Sequence, residues 1–175
     1  GCPEQIVEML QKQSDSVLQK ASEMSFAEGN IPFIPVIPRT HRSPYDLMAM
    51  VRNNGKQGYT YLNPTAITDE FDTPKDPYYI YDVEDGQALL GKSPEKAIDI
   101  LKKQSRLPLT ATEVMALTTH TNVLSQHHVL AAGSRYDWSG WVLFVYLDGG
   151  VRPRLGWCYL DDSFDHGGSA SCGSR

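Results

Sequence analysis

Apolar residues recur at spacings of three, four and seven through Ile6, Val7, Leu10, Val17, Leu18, Ala21 and Met24, which predicts one amphipathic helix over residues 3–25. Pro3 and Glu4 suit its first turn, and Gly29-Asn30 supplies the stop. A lone stripe on an otherwise polar helix reads as a packing or dimerising face, so a homo-oligomer through this N-terminal helix is expected. The run Ile31–Pro38 carries three prolines, which exclude a helix and a central strand and predict an extended apolar segment lying on the surface of the core. Ser43-Pro44 opens a second helix, with Asp46 in its positive first turn and Asn53-Asn54-Gly55 as its end. Residues 57–62 alternate weakly and suit a strand, 68–77 read as a loop, and Tyr78–Val83 is a strand closed by the turn Glu84-Asp85-Gly86. Ser93-Pro94 begins a third helix running to about Gln104, and the capping box Thr110-Ala-Thr-Glu113 begins a fourth through about His120.

The remaining third is β-rich. His128–Arg135 predicts a strand kinked at Gly133, and Trp141–Leu147 is nearly continuous apolar sequence, as in a strand covered on both faces. Asp148-Gly149-Gly150 turns the chain into the return strand 152–159, a strong hairpin signal. The tail from Asp161 reads as a strap over that hairpin. Together these elements predict an α+β fold: a mainly antiparallel sheet from the C-terminal half with helices packed against it. No linker or repeat interrupts the pattern. The expectation is therefore a single domain over residues 1–175, with 1–29 as its N-terminal helical part and 31–175 as the α+β body.

Composition narrows the function classes. At 41% hydrophobic and 21% charged residues, 175 residues are enough to bury a core. A net charge of −5 argues against nucleic acid as a partner, because phosphate binding needs a basic surplus. The longest apolar run, Trp141–Leu147, is far short of the roughly 20 residues of a membrane span. Three cysteines do not make a disulfide scaffold, and a cytoplasmic location is the expectation. Gly1 reads as a residue left by cloning, so a removed N-terminal leader stays open; Cys2 stands where the acylated cysteine of a lipoprotein would.

Candidate chemistry gathers in the C-terminal tail. Cys158, His166 and Cys172 have the donor types zinc prefers, with seven and then five residues between them, which permits a loop around a metal but lacks the tight Cys-x-x-Cys knuckle. The same residues could serve thiol catalysis, with His166 or His120 as base, Asp161, Asp162 or Asp165 as orienter, and the small residues of 167–173 presenting N–H groups. Against both stands a plain reading: two buried thiols beside a surface histidine. His127 and His128, being adjacent, point to opposite faces of a strand, so one faces a pocket and the other water. Arg152 and Arg154 share a face, either toward an anion or as a charged edge. Arg39, His41 and Arg42 precede a helix start where an anion could sit. Asp69, Glu70, Asp72 and Asp76 lack EF-hand spacing. Trp138, Trp141 and Trp157, with Tyr136, Tyr146 and Tyr159, read as sheet packing. No phosphate loop, dinucleotide glycine pattern, serine elbow or zinc-protease helix occurs.

Pro32–Pro38, Leu107-Pro-Leu-Thr110, Arg152-Pro-Arg-Leu-Gly-Trp-Cys158 and Gly168-Ser-Ala-Ser-Cys-Gly173 resemble a family of small uncharacterised bacterial proteins, a domain of unknown function. The resemblance spans residues 31–175, leaves the N-terminal helix outside, and implies bacterial origin and a compact domain. It carries over no catalytic residue. The reading that results is a binding or structural module without catalysis. The alternative is a small metal- or thiol-dependent enzyme using Cys158, His166 and Cys172. No resident cofactor is expected, zinc being the one candidate.

Overall fold

The computed structural model describes residues 2–137 and 140–175. Two helices, α1 (Glu4–Gln11) and α2 (Ser14–Glu23), replace the single helix expected over 3–25. The break has a local cause. The side-chain amide of Gln13 donates to the carbonyls of Met9 (3.1 Å) and Pro77 (2.8 Å), while its own N–H steps back to Leu10. A side chain inserted into the carbonyl ladder interrupts the i→i−4 pattern. The apolar stripe is divided accordingly: Ile6 and Val17 are buried, whereas Val7 and Leu18 stay exposed.

In chain order there follow β1 (Ile31–Val36), α3 (Pro44–Met50), β2 (Arg52–Asn53), β3 (Lys56–Gln57), β4 (Ile67–Asp69), β5 (Tyr78–Val83), α4 (Pro94–Lys103), β6 (Leu107–Pro108) and α5 (Ala111–His120). The C-terminal part adds β7 (His128–Tyr136), β8 (Trp141–Asp148), β9 (Arg152–Tyr159), β10 (Gly167–Ser169) and β11 (Ser171–Cys172). The starts of α3, α4 and α5 are those the sequence predicts. Ser43 and Ser93 cap α3 and α4 with proline at the first position, and both halves of the Thr110–Glu113 box are made at α5.

Three local expectations are corrected. Asn54-Gly55, expected to end the second helix, instead makes the two-residue turn between β2 and β3, both residues at positive φ (46° and 76°). The expected strand over 57–62 shrinks to β3 and a bridge from Tyr59 to Arg154. The expected loop over 68–77 begins within β4, which pairs with the far end of β7. The segment Ile31–Pro38 is extended as predicted and, among the described residues, pairs only with β5, so its prolines remove no hydrogen bond on a second side. Ile34 and Val36 lie inside the core, however, and not on its surface.

The largest sheet has the order β10-β7-β8-β9, with β4 also on β7; β10 is parallel and the other pairs are antiparallel. Its two faces bury different clusters. Val129, Ala131, Leu143, Val145 and Leu155 join β1, β5 and α5 in the main core, while Leu130, Val142 and Cys158 form a smaller cluster with Phe144, Leu160 and Phe164. The tail departs furthest from expectation. It is no strap: residues 167–172 are all buried, with β10 extending the sheet and β11 pairing with β6. Its small side chains follow from how close the backbones come, since a Cβ at Gly168 would lie 1.9 Å from the Gly86 carbonyl oxygen. Among the described residues no helix is long and apolar enough to cross a membrane.

Candidate ligand-binding cleft

The fold assigns the two candidate sulfurs to different apolar surroundings. Cys158 lies on β9 in the smaller cluster, Cys172 on β11 in the main core, and His166 is exposed in the turn before β10. Burial, reinforced by Asp162 at Cys158 and by Glu113 at Cys172, pushes each thiol up to about 12. Both are therefore neutral near pH 7, whereas nucleophiles and metal ligands are thiolates. Among the described residues no group of three or more His, Cys, Asp or Glu side chains could hold a metal.

The other singled-out residues have partners of their own. Arg39 pairs with Asp69 at 2.6 Å, and His41 meets Asp76 at 3.2 Å. Arg152 and Arg154 do share a face, and both stack over Tyr59, at 4.2 and 5.7 Å from its ring centre. Trp141 and Trp157 stack across β8 and β9 at 4.0 Å, with Tyr136 beyond; Trp138 lies outside the described residues. His128 rests against Phe144 and Tyr146, while its neighbour His127 turns inward and is 2% exposed.

Polar chemistry converges instead where β5 ends. Val83 leads into Glu84-Asp85-Gly86 and a 3-10 turn over Gln87–Leu89. The backbone of Glu84 exchanges two hydrogen bonds with Ser171 (2.9 and 3.0 Å), and Gly86 lies directly on Gly168, so the tail fixes this turn in place. The loop before β1 forms the facing wall through Ala27–Asn30, Arg106 closes one side, and Gln126 closes another just before His127. Between them is a cleft of about 640 Å³.

Its walls are tied together by charge. The Arg106 guanidinium donates to the Asp82 carboxylate (2.5 Å), the Asp82 carbonyl and the Ser171 hydroxyl (2.8 Å), and the Asn30 amide donates to the other Asp82 oxygen at 2.6 Å. Asp82 sits at a φ of 52°, in the left-handed region that aspartate enters more readily than most non-glycine residues.

Behind Asp85, within the fold, stands His127. Its Nδ1 lies 3.0 Å from the His128 carbonyl, which can only accept, so Nδ1 carries a proton. Its Nε2 faces Asp85 Oδ1 at 3.6 Å, beyond hydrogen-bond reach, and has no hydrogen-bond partner. Burial opposes charge on His127, but Asp85, the His128 carbonyl and Glu84 together outweigh it and raise its pKa. The imidazole in turn holds Asp85 below the ordinary carboxylate range. Glu84 is pushed up, by burial first and by the adjacent Asp85.

A scan against protein families matches residues 2–175. The chain belongs to DUF5701, a family of unknown function. The match takes in α1 and α2, which the sequence resemblance had left outside. No match is found among curated proteins or among solved structures. The cleft residues escape sequence reasoning because Glu84-Asp85-Gly86 reads only as a turn, and nothing in the spacing links that turn to His127 or Arg106. One signal was present: His127 and His128 are adjacent and point apart, and a buried imidazole needs a partner.

Proposed function

We propose that the protein is a small-ligand binding module without catalysis of its own, with its ligand seated between Ala27–Asn30 and Glu84–Ala88. One observation carries the reading. Glu84, Asp85, Asn30, Gln87 and Arg106 converge on one cleft of about 640 Å³, and the buried His127 meets its wall residue Asp85 from within the fold at 3.6 Å. A concave site with a few convergent polar groups is where small ligands are held. The cleft's volume falls within the roughly 300–1,000 Å³ of small-molecule sites. Its lining of carboxylates, amides and one guanidinium, without a hydroxyl or thiol, supports recognition over covalent chemistry.

The test is a thermal-shift and NMR screen of small metabolites against the parent chain and Ala88→Trp. Ala88 is exposed on the cleft rim, so the indole fills the cleft without breaking a hydrogen bond of the fold. Compounds that shift the His127 and Glu84 resonances in the parent and not in Ala88→Trp support the reading; hits that bind both equally sink it. Self-association through α1 and α2 belongs to the same proposal and is supported by exposed Val7 and Leu18. Sedimentation velocity of the parent and of Leu18→Glu tests it, and a monomeric parent rules it out. The enzyme alternative on Cys158, His166 and Cys172 is decided by elemental analysis of chelator-free protein together with thiol-labelling rates.

A further inference from the structure

We propose that the face of β9 bearing Arg152 and Arg154 docks an acidic, extended segment of a partner protein through an array of cations and tyrosines. This surface shares no residue with the cleft, and the proposal does not rest on a ligand there.

The charges of the chain are sorted in this region. No aspartate or glutamate occurs over residues 47–68 or 149–160, although the whole chain has a net charge of −5. The fold lays these two stretches side by side. Tyr59 forms a parallel bridge with Arg154, its N–H donating to the Pro153 carbonyl (3.0 Å) and its carbonyl accepting from Leu155 (3.1 Å). The β2–β3 hairpin is tied to the same strand at two points: Asn53 donates to the Val151 carbonyl and Arg152 to the Gln57 carbonyl, each at 2.8 Å. Arg52, Lys56, Arg152 and Arg154 are thereby brought to one edge of the sheet. None of the four is in an ion pair among the described residues, whereas Arg39, Arg106, Arg135 and Arg175 each meet a carboxylate at 4.0 Å or less. One carboxylate stands at the margin. Asp148, across the ladder from Arg152, accepts from the Tyr59 hydroxyl and makes no ion pair with the arginine.

The independent observation is how the two guanidiniums are held. Arginines that only keep an edge strand from pairing need no fixed position, and here Tyr59 already bridges the edge at Arg154. The guanidinium of Arg152 instead lies 4.2 Å from the centre of the Tyr59 ring and that of Arg154 lies 5.7 Å from it, with Tyr61 at 5.8 Å on its other flank. Asp148 fixes the Tyr59 ring in turn. Arg154 makes no hydrogen bond among the described residues, and its Nε is out of reach of water. Its donors are oriented and unspent, the arrangement that takes a carboxylate bidentately.

The occupant follows from the form of the array. The arginines stand on an open strand face, where a small anion keeps most of its water. A single-stranded nucleic acid needs bare ring faces for its bases, and Arg152 covers that of Tyr59. A long polyanion or an anionic bilayer also meets the negative surplus of the rest of the chain. A short acidic segment escapes both limits. Its alternate side chains, when extended, fall about 7 Å apart, the repeat of Arg152 and Arg154 along β9. Tyr61, 79% exposed, gives it a ring to lie against.

The test is fluorescence anisotropy of the whole chain with a labelled, end-blocked peptide of alternating glutamate and serine. The matching lysine–serine peptide, single-stranded oligothymidylate and phosphatidylserine vesicles are run beside it. The glutamate peptide is expected to bind, to weaken as salt rises from about 50 to about 300 mM, and to move the NMR signals of Tyr61 and of Arg154 Nε–H. Arg154→Gln is expected to lower its affinity about tenfold, and Arg154→Lys to recover only part, because an ammonium keeps the charge without the fork. Arg154 is half-buried, so Arg52→Gln, at an exposed position, repeats the test without disturbing the fold and is expected to cost about threefold. Lys102→Gln, exposed on α4, removes the same charge elsewhere and is expected to change nothing. A glutamate peptide that does not bind overturns the proposal, and so does an equal loss in Lys102→Gln and Arg154→Gln. Tighter binding of the lysine peptide, the oligothymidylate or the vesicles assigns the face to another class of partner and overturns it as well. The cleft is tested separately by Ala88→Trp, and none of these outcomes bears on it.

Discussion

The C-terminal end of the described chain is anchored by a buried ion pair, and Arg175→Ala measures it. Glu113, on the first turn of α5, has no solvent exposure. Its Oε1 accepts from Arg175 Nε at 2.6 Å and from the Tyr78 hydroxyl at 3.0 Å; its Oε2 accepts from Arg175 Nη2 and from the Thr110 N–H, each at 2.8 Å. Arg175 also donates to the Pro108 carbonyl at 3.1 Å. Removing the guanidinium leaves a carboxylate buried with two neutral donors. Breaking one side of a buried pair costs about 3–5 kcal/mol, and the surviving Tyr78 and Thr110 bonds place this site at the lower end, about 3 kcal/mol. For a chain of this length that is a fall in melting temperature of about 6–12 °C by circular dichroism. The double variant Glu113→Gln with Arg175→Ala removes the stranded charge, and the amide oxygen can still accept from the Thr110 N–H while the amide N–H donates to the Tyr78 hydroxyl oxygen, so it should lose less than the single variant. A single variant that melts within about 2 °C of the parent, or a double variant that melts lower than the single, would falsify the assignment of the pair as an anchor.

Three further predictions concern the cleft and the thiols. Because His127 is raised above its ordinary 6.5, its contribution is fully present below that value and is lost as pH climbs through the raised one. Asp85 is lowered from 3.8, so its contribution is present above that value and is lost as pH drops through the lowered one. Urea midpoints of the parent should therefore include a component that peaks between those limits and is missing in Asp85→Asn; superimposable profiles would refute the pair. Gly168→Ala would place a Cβ 1.9 Å from the Gly86 oxygen and must push the turn off β10, costing about 1–3 kcal/mol. Faster amide exchange at Glu84 and Ser171 is the expected sign, and unchanged exchange counts against the close packing. With the thiols of Cys158 and Cys172 at about 12, a thiol reagent at neutral pH should label the partly exposed Cys2 first. Rapid labelling of either buried thiol would revive a reactive-cysteine reading.

Much of the fold was legible because local chemistry fixed it. Ser-Pro pairs, the Thr110–Glu113 box and the Asp148-Gly149 turn each satisfy backbone groups within a few residues, so sequence order is enough to find them. The failures are of another kind. The first helix breaks because Gln13 reaches Pro77, 64 positions away, and no period within the helix contains that information. Asn54-Gly55 is both a helix stop and a hairpin turn in chemical terms, and only the Arg52–Gln57 pairing selects the second. The cleft was the least legible part, since Glu84, Arg106 and His127 come from three separate loops and strand ends that only the folded chain assembles.

The same distinction explains why the glycine- and serine-rich tail invites a catalytic reading. Small residues with a cysteine are equally the composition of an anion-binding loop and of a strand threaded between other backbones. What separates the two is where the N–H groups go, and here they are taken: Ser171 donates to the Glu84 carbonyl, Ala170 to Leu130, and Gly173 to Tyr81 and Asp82. Those three N–H groups meet protein carbonyls and are not free to greet an oxyanion. Its part in the fold is positional. By allowing Gly168 to touch Gly86 and Ser171 to pair with Glu84, it sets the turn that carries Glu84 and Asp85 at the height of His127. The residues of the tail motif that carry the resemblance back the turn from behind, and Glu84 and Asp85, which line the cleft, lie on the turn the tail holds in place.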